Sequence, residues 1–142
     1  MLLVFFIILF VVLVAVLVAN LVAVFYNGKP VSAPEIPREE TTIGSGEELR
    51  YLILGDSTSI AQGGDYSQGF AVKTAENLAK TRKVIYKNYG VSGARINDVA
   101  TTQLDYSKEF IPDIVLVAVG ANDVTHLTSL ESIESDLKQI IN

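Results

Sequence analysis

Three short segments of small and polar residues carry side chains that could do chemistry. They are residues 55–59 (GDSTS), 90–94 (GVSGA) and 120–123 (GAND), and each follows a predicted strand. A serine hydroxyl at a strand end can act as a nucleophile, glycine lets a backbone N–H approach a ligand closely, and an asparagine amide can donate to an oxyanion. Together they indicate acyl transfer, with Ser57 as the candidate nucleophile.

The elements that must position these segments alternate between strand and helix. Short apolar runs at residues 50–55 and 114–120 and a run of β-forming residues at 83–89 predict three strands. The third run is continuously apolar, which is typical of a central parallel strand covered on both faces. Apolar residues at helical spacing predict helices over residues 71–80 and 96–104, and a third that opens on a capping box at Thr128 and Glu131.

This alternation predicts an α/β fold with an open, mostly parallel sheet and helices on both sides. In such folds ligands bind beyond the carboxyl ends of the strands. The three polar segments follow the three predicted strands, so we expect them to converge at one edge of the sheet.

The first part of the chain has a different character. Residues 2–19 are all apolar, and a helix of that length matches the thickness of a bilayer core. We expect a transmembrane helix or signal anchor at residues 1–26, a flexible linker at 27–48 and the α/β domain at 49–142. A cleavable signal peptide is the alternative, but no Lys or Arg precedes Lys29 and the apolar run is long.

Composition excludes several classes of function. The net charge is −5 and no basic cluster is present, which argues against nucleic acid as a partner. The chain has no cysteine, and this rules out a thiol nucleophile and cysteine-based metal sites. The sequence also has neither a P-loop nor a Gly-x-Gly-x-x-Gly fingerprint, so nucleotide-binding enzymes of the usual kinds are disfavoured.

In order and in context, the three segments resemble the conserved blocks of the SGNH hydrolases, the GDSL-like lipases and esterases. The first block is Gly-Asp-Ser, here at 55–57 with Ser59 following, and the third is Gly-x-Asn-Asp, here at 120–123. The resemblance implies that Ser57 is the nucleophile. It also implies that the Ser57 N–H, the Gly93 N–H and the Asn122 side chain form the oxyanion hole, with Gly90 a less favoured choice than Gly93.

The resemblance also assigns supporting positions to Gly55, Asp56, Gly120 and Asp123. We expect Asp56 to accept backbone N–H bonds that hold the nucleophile loop, and Asp123 to shape its own loop in the same way. Arg95 could bind an anionic group of the substrate, although a solvated arginine is the commoner outcome. Residues 66–68 could line the substrate pocket.

One block of the family is missing. SGNH hydrolases supply a general base and its orienting acid from an Asp-x-x-His block, and this sequence has none. The single histidine, His126, is expected to be a surface side chain. The family has a flavodoxin-like three-layer α/β/α fold whose sheet contains about five strands. Only three strands are predicted here. We therefore expect the chain to be the N-terminal portion of such a domain and to be inactive by itself.

The function expected from the resemblance is serine ester hydrolysis, in which a carboxylic or acetyl ester is cleaved through an acyl-enzyme on Ser57. It implies no metal and no organic cofactor, and a small-molecule, lipid or glycan ester as substrate. A membrane-anchored binding module or pseudoenzyme without catalysis is the alternative. Lys29 and Arg38 taken alone would place the domain in the cytoplasm. The resemblance to envelope-associated enzymes instead favours an extracytoplasmic domain on a single-pass anchor.

Overall fold

The computed structural model describes the backbone of residues 2–27 and 31–141, in two compact units, Met1–Val31 and Ser32–Asn142. The first unit contains one helix, α1 (Leu2–Asn27), whose side chains are described at position 6 and over residues 9–23. Within these described residues, no helix combines the length and the apolarity needed to cross a membrane. The membrane anchor predicted for residues 1–26 is therefore not supported.

The second unit is built on a mixed sheet of four strands. Along the chain these are Thr41–Gly44 (β1), Glu48–Gly55 (β2), Lys83–Asn88 (β3) and Ile114–Ala118 (β4). Their order across the sheet is β1-β3-β2-β4, and β2 pairs in parallel with both β3 and β4. The three parallel strands predicted from the apolar runs are therefore confirmed, with the first of them at the centre.

The fourth strand, β1, corrects the predicted linker. Residues 31–40 have no regular secondary structure, but Thr41–Gly44 pair antiparallel with β3 and place Thr41 opposite Tyr86. The prediction of a flexible linker is thus wrong for residues 41–44 and for Glu48, which begins β2, while residues 28–30 lie outside the described part. A four-residue edge strand has no apolar run of its own. It forms because its backbone groups pair with β3, which no local pattern reveals.

Helices cover both faces of the sheet, as predicted. In chain order they are Phe70–Leu78 (α2), Ile96–Asp98 (α3), a π-helix at Val99–Gln103, Asp105–Phe110 (α4), Ala121–Thr125 (α5) and Leu130–Ile141 (α6). The alternating side chains of β2 divide between two cores. Tyr51 and Ile53 pack with α2 on one face, whereas Leu52 and Leu54 pack with Val99 of the π-helix on the other.

Strand β4 and helix α6 are less covered than the sequence predicts. β4 lies at the edge of the described sheet, not at its centre, and Ile114, Val115 and Val117 are 36–42% exposed. None of the side chains of α6 is fully buried. The helix is capped by Ser129, whose hydroxyl accepts the Ser132 N–H, so the capping box predicted at Thr128 is wrong by one residue.

Tyr51 gives a test of the core. Burial raises the pKa of its phenol from 10.0 to about 12, and the Thr74 hydroxyl opposes part of this rise. Because an unfolded chain would release this proton first, the stabilising contribution is complete below pH 10 and is lost as the pH rises from 10 to 12. Two pKa units correspond to about 3 kcal/mol.

We therefore expect urea unfolding to show a steeper loss of stability from pH 10 to 12 in the unchanged chain than in Tyr51→Phe. Using the difference between the two proteins cancels the titration of other groups, including Tyr66 and Tyr86, whose pKa values burial also raises. Equal slopes would show that Tyr51 does not ionise on unfolding.

Candidate active site

The three polar loops meet at one edge of the sheet, as predicted. The Asp56 N–H donates to the carbonyl of Ala118 over 2.9 Å, which joins the loop after β2 to the end of β4. The Val91 N–H donates to the carbonyl of Gly55 over 3.0 Å, which joins the loop after β3 to the end of β2. The backbone thus holds residues 55–59 between the other two loops.

Asp56 holds the nucleophile loop by the kind of bond that the sequence predicts. Its carboxylate is buried, and Oδ1 accepts the N–H and the hydroxyl of Thr58 over 2.8 and 2.7 Å. Ser59 completes the turn, since its hydroxyl donates to the Asp56 carbonyl over 2.7 Å. Ser57 stands between them with a half-buried side chain. This turn fixes the backbone on both sides of Ser57.

Gly55 is required by the close approach of two strands. Its φ is +144°, and a Cβ at this position would lie 2.0 Å from the Ala118 carbonyl oxygen. Because that oxygen belongs to backbone that is hydrogen-bonded to Asp56, it cannot move aside cheaply. The glycine therefore lets β2 and β4 converge directly before the nucleophile loop.

The loop after β3 contains two glycines with different surroundings. A Cβ on Gly90 would lie 2.0 Å from Ser59 Oγ, so this glycine is needed for packing. Gly93 has a φ of +83°, and a Cβ there would meet no atom within 4 Å. Gly93 therefore faces open space. Its assignment to an oxyanion hole stays a prediction, but its surroundings suit that role better than those of Gly90.

Asn88 is a supporting residue that the sequence motifs do not identify. Its buried side chain donates from Nδ2 to the Ser59 carbonyl over 2.8 Å and accepts the Gly90 N–H at Oδ1 over 2.9 Å. It thereby ties the loop after β3 to the nucleophile loop. The one signal that could have identified it is an asparagine at the end of a predicted strand, next to a polar loop.

The third loop reaches the second through two side chains. Asn122 donates from Nδ2 to the carbonyl of Ala94 over 2.9 Å, next to Gly93. Asp123 is buried and accepts the Ile96 N–H at Oδ2 over 3.0 Å. Asp123 was expected to bond within its own loop, but it instead caps the start of α3. Together the two bonds fix the distance between the loops after β3 and β4.

Two backbone N–H groups and one side-chain N–H at this edge have no hydrogen-bond partner in the described part of the chain. Among the described residues, neither the Ser57 N–H nor the Gly93 N–H donates a hydrogen bond, and nothing bonds to the Ser57 hydroxyl. The Asn122 amide bonds through one of its two N–H groups to Ala94, which leaves the other available. Three donors are therefore free to bind an oxygen atom.

His126 is an exposed side chain, as expected. Its Nδ1 lies 2.8 Å from the carbonyl oxygen of Asn122, within its own helical turn, and no hydrogen bond joins the ring to Ser57. Arg95 is half-buried and forms no ion pair among the described residues, and residues 66–68 form a 3₁₀ turn before α2. The structure thus brings together Ser57, Gly93 and Asn122 on neighbouring loops but joins no base to them.

Comparison with known proteins agrees with this arrangement. The model of the GDSL-like Lipase/Acylhydrolase family matches residues 53–142, which is more than half of the chain. No curated protein matches the sequence significantly.

Solved structures give similar results. The structure of TesA aligns with a TM-score of 0.60 and 25% identity over 64% of this chain and 51% of TesA. AlinE4, described as an SGNH-hydrolase family esterase, aligns with a TM-score of 0.54 and 25% identity over 68% of this chain and 53% of its own. The psychrotrophic esterase EstA from Pseudoalteromonas sp. is 22% identical with a TM-score of 0.56, over 65% and 51%. The chain spans about half the length of each.

Proposed function

Because the chain belongs to the GDSL-like lipase/acylhydrolase family, we propose that it carries the nucleophile and the oxyanion hole of a serine ester hydrolase. The bond cleaved is a carboxylic or acetyl ester, and the acyl group is carried on Ser57. AlinE4, which is described as an esterase, supports this class of reaction at 25% identity.

The observation that carries the proposal is the set of free donors on Ser57 and on the two loops that adjoin its loop. The N–H groups of Ser57 and Gly93 have no partner among the described residues, and Asn122 has an N–H to spare. Donors held in place before the reaction stabilise the charge that develops on a carbonyl oxygen, and they need no reorganisation at that moment. Gly93 is exposed and Ser57 is half-buried, so both N–H groups are accessible to a ligand.

The reaction then follows the general scheme of acyl transfer. Ser57 Oγ gives up its proton to a base and bonds to the ester carbonyl carbon, and the carbonyl oxygen becomes an oxyanion held by Ser57, Gly93 and Asn122. Collapse of this intermediate releases the alcohol, which takes up a proton. Water then attacks the acyl-enzyme by the same route and releases the carboxylic acid.

The proton from Ser57 needs an acceptor, and none contacts Ser57 within the described residues. A serine without a base is a weak nucleophile at neutral pH. This observation favours the second candidate function, a binding module that retains the site without turnover. The two candidates differ in whether Ser57 reacts once a base is provided.

The test is covalent labelling of the full chain with a fluorophosphonate probe, with and without added imidazole as an external base. The modified residue is identified by mass spectrometry of peptides. We expect imidazole to accelerate labelling and the adduct to lie on Ser57. Labelling spread over several serines, or none at any imidazole concentration, would favour the binding module.

We also propose that the protein is a single-pass membrane protein with this domain on the extracytoplasmic side. The support is the apolar run at residues 2–19 and the resemblance of the sequence motifs to those of envelope-associated SGNH enzymes. Protease added to intact cells should then remove the domain. Protection in intact cells together with digestion after lysis would place the domain in the cytoplasm.

A further inference from the structure

The buried amide of Gln103 clamps the backbone directly before the nucleophile loop. Gln103 is 2% exposed and ends the π-helix Val99–Gln103. Its Oε1 accepts the Gly55 N–H over 2.7 Å, and its Nε2 donates to the Gly55 carbonyl over 3.0 Å. One side chain thus satisfies both the donor and the acceptor of a single residue.

Gly55 needs such a clamp because its own conformation is open to change. A glycine has access to more φ and ψ values than any other residue, and Gly55 is held at φ +144°. Its carbonyl also accepts the Val91 N–H, so Gln103 and the loop after β3 bind the same peptide group. The two contacts fix the direction in which the chain enters Asp56 and Ser57.

Gln103 is the last residue of the π-helix. The Leu104 N–H donates to the Val99 carbonyl over 2.9 Å, five residues back, so the helical run carries one residue more than an α-helix would in that turn. Val99 and Gln103 are buried, whereas Thr101 and Thr102 between them are exposed. Val99 and Gln103 both contact β2, and π-turns occur often at functional sites.

We propose that Gln103 is a positioning residue for the nucleophile, acting through Gly55 on the direction of the Ser57 N–H and hydroxyl. This inference rests on the proposed function of Ser57. Residues that hold a reacting side chain in position affect the rate, because a displacement of about 1 Å at the reacting atoms can lower it on the order of a hundredfold.

The test compares Gln103→Met with Gln103→Glu. Methionine keeps the shape but removes both hydrogen bonds, and we expect it to lower the rate of Ser57 labelling in imidazole by on the order of tenfold or more. A carboxyl group can accept and donate at the same time only when it is protonated. Labelling of Gln103→Glu, relative to the unchanged chain at each pH, should therefore recover as the pH falls, whereas Gln103→Met should show no such recovery.

A second measurement does not depend on activity. Amide exchange followed by NMR should show faster exchange at Gly55 and a shifted Ser57 amide in Gln103→Met, with Ile53 in the middle of β2 unchanged. The matched control is Gln139→Met on α6, where the amide donates to the Ala100 carbonyl over 3.2 Å. We expect this control to leave both the labelling rate and the Gly55 exchange unchanged.

The outcomes separate the two proposals. If the unchanged chain is never labelled, the proposed function is wrong. The exchange rate of the Gly55 amide and the chemical shift of the Ser57 amide in Gln103→Met still show whether Gln103 holds Gly55. Unchanged Gly55 exchange in Gln103→Met would overturn the clamp. Equal loss of protection at Ile53 and Gly55, or no recovery of Gln103→Glu at low pH, would reduce Gln103 to a purely structural role and overturn the proposal.

Discussion

Replacing Ser57 by alanine is expected to reduce covalent labelling and imidazole-assisted ester hydrolysis to the level of the uncatalysed reaction. Alanine has no oxygen to bond to the acyl or phosphonyl group, so the free donors at Gly93 and Asn122 have no intermediate to stabilise. The change should leave the fold intact, because no hydrogen bond of the Ser57 hydroxyl is lost among the described residues. Labelling is measured by in-gel fluorescence and hydrolysis by release of p-nitrophenol from the acetate ester.

Ser92 provides the matched control. It is an exposed serine in the loop after β3, two residues after Gly90, and its replacement removes the same hydroxyl from the same edge of the sheet. Ser92→Ala should be labelled at the rate of the unchanged chain. Labelling that survives in Ser57→Ala, or that is lost equally in both variants, would refute Ser57 as the nucleophile.

The sequence predicts well where the three polar loops lie, because these short segments follow strong strand signals. Residues 50–55 and 83–89 are strand-forming runs that pair with each other in parallel. The polar residues that follow them must therefore lie at the same edge of the sheet. Asp56 could be assigned a holding role for a local reason, since its partner Thr58 is two residues away. Local chemistry of this kind can be predicted without a fold.

The contacts that support the site could not be predicted in the same way. Gln103 bonds to Gly55 across 48 positions of sequence, and Asp123 bonds to Ile96 across 27. Such bonds depend on how the helices pack on the sheet, and a π-turn that adds one residue changes which side chain points inward. Local periodicity predicted a single helix over residues 96–104, which the structure divides into α3 and the π-helix.

The edges of the sheet were the least predictable part of the fold. The apolar run at 114–120 was expected to be central because both faces of its side chains are apolar, yet β4 pairs only with β2 in the described residues. Composition reports how apolar a strand is and not which neighbour covers it. The opposite holds for Thr41–Gly44. This segment of two threonines, an isoleucine and a glycine lacks an apolar run, so no strand was predicted, yet it pairs with β3.

Replacing Asn122 by alanine is the second change with a large expected effect. Its amide is the one side-chain donor of the proposed oxyanion hole, and its bond to the Ala94 carbonyl holds it beside Gly93. Removing one such donor typically costs about 100-fold to 1000-fold in rate, or about 3 to 4 kcal/mol of transition-state stabilisation. We expect a decrease of this order in the rate of Ser57 labelling in imidazole. Asn122→Asp should be at least as slow, because a carboxylate repels the oxyanion.

Asn97→Ala separates this effect from the loss of an ordinary asparagine contact. Asn97 donates from Nδ2 to Asp136 over 3.1 Å at the exposed surface between α3 and α6, so the same atoms are removed away from Ser57. Its labelling rate should stay within about twofold of the unchanged chain, since a surface contact contributes little. The free energy of unfolding of each variant is measured alongside. If Asn122→Ala slows labelling no more than Asn97→Ala at equal stability, the Asn122 amide does not contact the oxyanion, and the backbone donors at Ser57 and Gly93 must act without it.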